Sequence, residues 1–221
     1  AYMHYNYLLA IQDINPLNGL SRKNNIRQII WKIRAKKVIL ATGSIERPIT
    51  FDNNDRPGIM LANSASKFLN YYGVKIANQA VIFTNNDSAY QTAIDFYKKG
   101  IKVRAVVDVR SYNKSDIINK VEALGIKIYY NYAVTNTSGR LKIKSATINK
   151  VDDNVTKIIG PPIKIKCDFL CVSGGWTPTV HLFTQSRGKL IYRDYDGSFI
   201  PNQSFQDTVS IGSCNGTFSL N

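Results

Sequence analysis

Cysteine and histidine are the side chains most often used for nucleophilic and metal chemistry, and the chain has three cysteines and two histidines. Cys167 and Cys171 lie in a segment that reads as a strand, so about 13 Å separates them, which is too far for a disulfide. His4, His181 and Cys214 are isolated and form no metal-ligand spacing. We therefore predict no catalytic residue and no metal site, and we expect buried cysteines in a reducing compartment.

Dinucleotide binding is a second kind of chemistry, and it needs a glycine-rich turn between a strand and a helix. The turn at 84–89 reads Thr-Asn-Asn-Asp-Ser-Ala, in which only Ala89 fits the pattern. Asn86 places a side chain where a phosphate would approach, and Asp87 places an anion at the helix start, which favours the helix but repels a phosphate. Asp108, at the end of the next strand, fits the acid that binds ribose. Both a dinucleotide site and a Rossmann-like domain without a ligand therefore stay open.

Hydrophobic periodicity indicates the elements that position these residues. Alternating strand and helix patterns from 79 to 131 predict a parallel, doubly wound sheet. Residues 132–166 alternate polar and apolar side chains between turns, which predicts an antiparallel meander, and 167–175 returns to a buried strand. The other predicted elements are strands at 5–12, 26–34, 38–41, 79–84, 102–109 and 126–131, helices at 59–72, 88–99 and 114–124, a turn region at 15–19, a hairpin at 189–200, and a strand running into a turn at 209–216.

Composition and charge limit the class of protein. With 221 residues, 44% hydrophobic and 20% charged, the chain can bury a core and is neither disordered nor a coiled coil. It has no membrane-length apolar run and no visible signal peptide, so we expect a cytoplasmic protein without a membrane partner. The net charge of +14 is compatible with a basic nucleic-acid-binding or interaction module. Because the basic residues are spread along the chain and its frequent residue types have A- and T-rich codons, we predict no nucleic-acid partner.

A buried strand that ends in Ala41-Thr42-Gly43, followed by Pro48, resembles the ATG motif of flavoproteins with two dinucleotide-binding domains, the glutathione and thioredoxin reductase class. Thr42 and Gly43 form a small turn with a free hydroxyl, which can approach a ligand backbone. SGGWTPT at 173–179 resembles the class's return to the first domain. VSIGSCNG at 209–216 resembles the late strand and turn that touch the cofactor, although its usual Gly-Asp is replaced.

This resemblance implies an α/β fold of the glutathione/thioredoxin-reductase type, with a Rossmann-like parallel sheet plus an antiparallel meander. It implies that 1–74 and 176–221 are segments of the first, NAD- or FAD-type dinucleotide-binding domain, and that 75–175 is a second, degenerate Rossmann-like domain. The first domain is expected to be incomplete, because its glycine-rich phosphate loop would lie before Ala1.

Longer strings carry a closer resemblance. ATGSIERPITFDNNDRPGIML, VIFTNNDSAYQTA and CVSGGWTPTVHLFTQSRGKL resemble the alpha, or large, subunits of heterotetrameric sarcosine oxidases over essentially the whole chain. That family oxidises N-methylglycine to glycine and passes electrons through flavins to oxygen. The resemblance implies a structural NAD in the first domain, with contacts from Thr42, Gly43, Gly212, Ser213 and Cys214.

The same resemblance implies further cofactors and partners. FMN would lie at the interface with the beta subunit, FAD on that partner subunit, and tetrahydrofolate on a C-terminal domain that this sequence lacks. The expected partners are beta, gamma and delta subunits, and this chain alone is expected to be inactive. Two other enzymes stay open: the alpha subunit of a related opine or amino-acid dehydrogenase, and a stand-alone pyridine-nucleotide-disulfide-type reductase. The absence of a CxxC pair near Thr42 and the turn at Asn86 argue against the reductase.

Overall fold

A computed structural model describes residues 1–14 and 27–218 of the chain. They form two compact units, unit 1 within 1–45 and 176–221 and unit 2 over 46–175. In chain order the elements are β1 Tyr2–Met3, β2 Tyr7–Asp13, β3 Gln28–Arg34, β4 Val38–Leu40, β5 Ser44–Glu46, β6 Ile59–Leu61, α1 Ala62–Asn70, β7 Gln79–Thr84, α2 Ser88–Lys98, β8 Lys102–Asp108, α3 Asp116–Ala123, β9 Ile128–Tyr130, β10 Tyr132–Ser138, β11 Ser145–Lys150, β12 Ile163–Lys166, β13 Phe169–Ser173, β14 Trp176–Pro178, α4 His181–Gln185, β15 Lys189–Arg193, β16 Ser198–Gln203, β17 Thr208–Ser210 and a 3-10 helix Gly212–Asn215.

Unit 2 is built on a five-stranded sheet in the order β6-β13-β7-β8-β9, and its paired strands all run parallel. Parallel strands are buried on both faces and therefore read as continuous apolar runs, as QAVIFT and FLCVS do here. On one face lies a core that includes Ala65 of α1, Phe96 of α2 and Ile118 of α3. The predicted parallel sheet is confirmed.

The antiparallel meander of β10, β11 and β12 is also confirmed, since both strand pairs are antiparallel. Its apolar residues Val134, Ile148 and Ile165 belong to a second core cluster together with Phe83 of β7 and Leu170 of β13. The alternation of polar and apolar residues predicted from the sequence thus places one side of the meander in the core of unit 2.

Unit 1 contains smaller sheets. The first is antiparallel in the order β1-β2-β3, β15 and β16 form an antiparallel pair, and β4 and β17 form a parallel pair. Its core cluster joins Tyr2, Val38, Leu40 and Phe183.

One sequence prediction needs correction. The helix expected over 59–72 begins at Ala62, because Ile59–Leu61 pairs in parallel with β13 instead. Unit 2 begins at Glu46, whereas the second domain was expected to begin at 75. The predicted turn at 15–19 and the first residue of the strand expected over 26–34 lie outside the described residues.

The three cysteines are buried, as expected. Burial raises the pKa of Cys167 to about 11 and raises the pKa of Cys171 well above its usual value. In the described part of the chain no helix is long and apolar enough to cross a membrane.

Candidate functional site

The parallel pair β4–β17 brings together the two segments that the sequence analysis selected. Thr208, Val209 and Ser210 lie beside Val38, Ile39 and Leu40 in register. The pairing continues past the strand ends, since the Ile211 N–H donates to the Leu40 carbonyl at 3.0 Å. Thr42 and Gly43 follow the end of β4, and the 3-10 helix Gly212–Asn215 follows the end of β17. Ligands of open α/β sheets bind outside such carboxyl ends of strands.

Both turns that follow these strand ends require glycine. Gly43 has φ +74° and Gly212 has φ +65°, a conformation that L side chains rarely adopt. A Cβ added to either residue would meet nothing within 4 Å, so the space beside both backbones is open. Open space next to two bare backbone segments is what a dinucleotide needs for close approach, and the residues present fit that group.

The prediction that the Thr42 hydroxyl is free is wrong. Its Oγ1 donates to the Thr179 carbonyl at 2.6 Å, and the Thr179 N–H donates back to the Gly43 carbonyl at 2.9 Å. The SGGWTPT motif therefore ends against the ATG motif within unit 1. The hydroxyl fixes the turn, and a ligand would meet the backbone of this turn instead.

Cys214 also faces inward. It is 1% exposed, and its Sγ donates to the Leu40 and Ile211 carbonyl oxygens, each at 3.1 Å. The thiol therefore ties the 3-10 helix to the end of β4. Ser213 is half-buried and Gly212 is exposed, so these two residues remain open to a ligand at this edge.

In unit 2 the β7–α2 turn is filled by its own side chains. Asn86 accepts hydrogen bonds on Oδ1 from the Ser88 N–H at 3.1 Å and from the Ser88 hydroxyl at 2.5 Å. Its Nδ2 donates to the Ser173 hydroxyl at 3.0 Å. The Thr84 hydroxyl accepts from the Asn86 N–H at 3.0 Å. The amide oxygen of Asn86 thus occupies a donor at the start of α2 that a phosphate would use in a glycine-rich turn.

The residue at the ribose-binding position is likewise engaged. Asp108 is 1% exposed and accepts hydrogen bonds from Tyr90 at 2.9 Å and from Arg110 Nη2 at 2.8 Å. Arg110 also contacts Asp87 at 2.7 Å and so joins the two carboxylates. Burial, and then the Asp108 charge, raise the pKa of Tyr90, which stays a hydrogen-bond donor. Burial acts to lower the pKa of Arg110, but its bonds to Asp108 raise it further, so it stays a cation.

Glu46 is a buried acid that sequence reasoning missed. Its Oε2 accepts from the Asn63 N–H at 2.9 Å, at the start of α1, where a carboxylate is favoured by the helix dipole. Burial raises its pKa, while hydrogen bonds from Ser173 and Asn63 act in the opposite direction. Ser173 therefore joins Glu46 to Asn86 at one end of the unit 2 sheet.

Arg110 and Thr179 were missed as well. The acid-x-Arg spacing of Asp108 and Arg110 was a usable signal for a local ion pair, whereas nothing local to Thr179 indicates its contact with Thr42. Among the described residues, no group of three or more His, Cys, Asp or Glu side chains could hold a metal ion.

Comparison with known proteins confirms the resemblance stated from the sequence. The chain is 36% identical over 214 residues to the sarcosine oxidase subunit alpha of Corynebacterium sp. strain P-1, which covers 96% of this chain and 22% of that protein. It is 31% identical over 191 residues to the subunit of the same name from Rhizobium meliloti strain 1021, which covers 86% and 18%. The chain thus spans about a fifth of the length of these curated relatives. No protein-family profile matches it.

Solved structures confirm the fold class. Thioredoxin reductase of T. acidophilum superposes with a TM-score of 0.65 at 17% identity, covering 95% of this chain and 67% of that one. L-proline dehydrogenase from P. horikoshii superposes with a TM-score of 0.53 at 22% identity, covering 84% and 31%. The chain has the α/β fold of the thioredoxin reductase class.

Proposed function

We propose that this chain is part of the alpha subunit of a sarcosine oxidase-type complex, which oxidises N-methylglycine to glycine with oxygen as acceptor. The observation that carries the proposal is the 36% identity to such an alpha subunit over 96% of the chain. The chain's own residues offer no nucleophile or acid–base pair at the β4–β17 edge. The oxidation is therefore assigned to flavins held with the partner subunits.

Unit 1 is proposed to bind NAD at the β4–β17 edge. The backbones of Gly43 and Gly212 offer open space for close approach, and the half-buried Ser213 adds a hydroxyl at this edge. The Thr42–Thr179 bonds and the Cys214 thiol hold the two turns in place before any ligand arrives. NAD bound here has a structural role, and these residues position it without moving a proton or hydride.

Unit 2 is proposed to be a degenerate dinucleotide-binding domain that serves as a scaffold. Asn86 fills the phosphate turn, and Arg110 binds the acid Asp108 that would otherwise bind ribose. These contacts also disfavour a stand-alone pyridine-nucleotide-dependent reductase, which needs a working second nucleotide site.

The partners follow from the same proposal. We assign to the complex beta, gamma and delta subunits, FMN at the alpha–beta interface, FAD on the beta subunit and tetrahydrofolate on another domain of the alpha subunit. The complex is proposed to be cytoplasmic.

The test uses the complete alpha subunit coexpressed with its partner subunits. We expect N-methylglycine to drive oxygen uptake and peroxide formation, and acid extraction to release NAD from the alpha subunit. Oxidation of L-proline or an opine in place of N-methylglycine would instead identify the complex as a related amino-acid or opine dehydrogenase. Oxidation of reduced pyridine nucleotide by the isolated subunit would instead support the reductase.

A further inference from the structure

A cavity of about 800 Å³ lies in unit 1, at the opposite end of the β4–β17 pair from the proposed NAD edge. Ala35 and Lys36, which precede β4, line it together with Phe205 to Asp207, which precede β17. Because the two strands are parallel, both of these segments meet at the amino edge. The three residues of β4 place on the order of 10 Å between the cavity and the exit at Thr42. A ligand in this cavity is therefore separate from NAD.

The charges around this cavity favour an anion. Lys36 and Arg187 both line it. In the part of the chain that the structure describes, the side chains of Lys36 and Arg187 have no hydrogen bond or ion pair. The one lining acid, Asp207, lies 3.6 Å from Lys37, which is not a lining residue. Two unpaired cations at one cavity attract a phosphate or carboxylate group.

The floor of the cavity is already fixed by hydrogen bonds. Asn6 is buried and donates from Nδ2 to the Lys36 carbonyl at 3.0 Å, while its N–H donates to Gln206 Oε1 at 2.7 Å. Gln206 in turn donates to the Ser186 carbonyl at 3.0 Å. These polar groups hold one another, so the groups left for a ligand are the cations and rings at the rim.

The backbone around the cavity is strained. Tyr5, Asn6 and Arg187 have φ values of 57°, 51° and 68°, which are uncommon for residues other than glycine. Half of the non-glycine residues with positive φ in the described chain thus line one cavity. Such strain persists where the surroundings enforce it, and it concentrates at binding sites.

We infer that this cavity binds a small organic anion, with a phosphate or carboxylate held by Lys36 and Arg187 and a planar apolar body beside Tyr5 and Phe205. Both rings are exposed lining residues, and the volume suits a ligand of metabolite size. The inference is independent of the oxidation of N-methylglycine.

Phenyl phosphate carries both recognised features, so it is the probe, with inorganic phosphate and phenol as its separate halves and benzoate as the carboxylate analogue. Binding is measured by calorimetry on the complete subunit, with the proposed NAD site saturated by NAD. We expect phenyl phosphate to bind below about 1 mM, and at least tenfold more tightly than either half. The affinity for benzoate shows whether a carboxylate can take the place of the phosphate. Equal affinity for phenyl phosphate and phenol would overturn the inference.

Arg187→Gly is the decisive variant, because glycine accepts the left-handed backbone, so the side chain and its guanidinium are removed without added backbone strain. We expect it, and Lys36→Gln, each to weaken phenyl phosphate binding about tenfold. Lys32→Gln, an exposed lysine of β3 outside the cavity, is the charge-matched control and should leave binding unchanged. Unchanged affinity in both cavity variants, with folding verified by circular dichroism, would refute the site.

Discussion

Two glycines with positive φ, one after a strand and one after a helix, separate the effect of backbone strain from the effect of a new methyl group at the proposed site. Gly212 and Gly100 both have positive φ, at +65° and +70°, and a Cβ would meet nothing at either. Alanine at either position should cost about 1–2 kcal/mol of unfolding free energy through backbone strain. Only at 212 would the new methyl group stand at the proposed cofactor edge. We therefore expect Gly212→Ala to reduce the NAD recovered with the complete alpha subunit about tenfold.

Gly100→Ala is the matched control for that measurement, since it carries the same strain at the end of α2. It should lose similar stability in urea unfolding and retain its NAD. Equal NAD content in the two variants would remove Gly212 from the proposed site.

The buried carboxyl of Glu46 predicts a pH dependence of stability. Burial raises its pKa from an ordinary value of 4.5, so the folded chain holds the proton more tightly than the unfolded chain. Stability contributed by the protonated form is present at low pH and is lost as pH rises from about 4.5 through the raised value. Glu46→Gln removes this loss, while its amide oxygen can still accept from Asn63.

We expect Glu46→Gln to unfold at an equal or higher urea concentration than the parent at pH 7, with a flatter profile between pH 4.5 and 7. Glu122→Gln, at an exposed position, controls for the loss of one negative charge. A variant that loses stability at neutral pH but not at acidic pH would show that the ionised Glu46 carboxylate stabilises the start of α1.

The sequence predicts where Thr42 and Cys214 lie in the fold, but not the direction in which their side chains point. Thr42 and Cys214 were predicted at the right strand ends, because strand and glycine patterns are local. Their side chains turn away from the edge, since the Thr42 hydroxyl bonds Thr179 and the Cys214 thiol bonds Leu40. Both partners are more than a hundred residues away along the chain, and no local pattern encodes such contacts.

The filled turn between β7 and α2 can be tested by a substitution at Asn86. Asn86→Gly restores the small residue of a glycine-rich turn but removes the hydrogen bonds to Ser88 and Ser173. We expect a loss of about 1–2 kcal/mol in unfolding free energy. Calorimetry should detect no gain of NAD or NADP binding, because Asp108 remains bound by Arg110.

Asn85→Gly is the control, because it removes a neighbouring amide that accepts from Asn86 Nδ2 at 3.1 Å and donates to the Gly174 carbonyl at 3.4 Å, but leaves the Asn86 bonds to Ser88 and Ser173 in place. It should cost less stability than Asn86→Gly. Submillimolar NAD binding by the Asn86 variant would contradict the assignment of unit 2 as a scaffold.

Elements with strong local periodicity were predictable, and elements defined by distant pairing were not. The β-α-β pattern from 79 to 109 was confirmed with small shifts at its ends. Ile59–Leu61 reads equally well as a helix start, and only its parallel pairing with Leu170 to Val172 makes it a strand. Short apolar runs carry too few residues to separate the two periods.

The division of the molecule into units depends on that same strand. β6 forms one edge of the unit 2 sheet, and α1 adds Ala62, Ala65 and Leu69 to its core. The unit runs from Glu46 to Gly175, whereas the second domain was predicted to run from 75 to 175. Which residues form a complete core is a property of the whole sheet.

This boundary leads to a prediction for expressed pieces of the chain. Residues 46–175 contain the complete five-stranded sheet, both larger core clusters and the meander, so we expect them to fold alone and unfold cooperatively. The piece 75–175 lacks β6 and α1, which leaves one side of β13 without its partner strand and exposes buried residues of the core. It should show weak tertiary structure by near-ultraviolet circular dichroism.

Because Asn86 and Arg110 fill the nucleotide positions, 46–175 should bind neither NAD nor NADP below about 1 mM. Cooperative unfolding of 75–175 would restore the boundary read from the sequence, and submillimolar NAD binding by 46–175 would give unit 2 a ligand of its own.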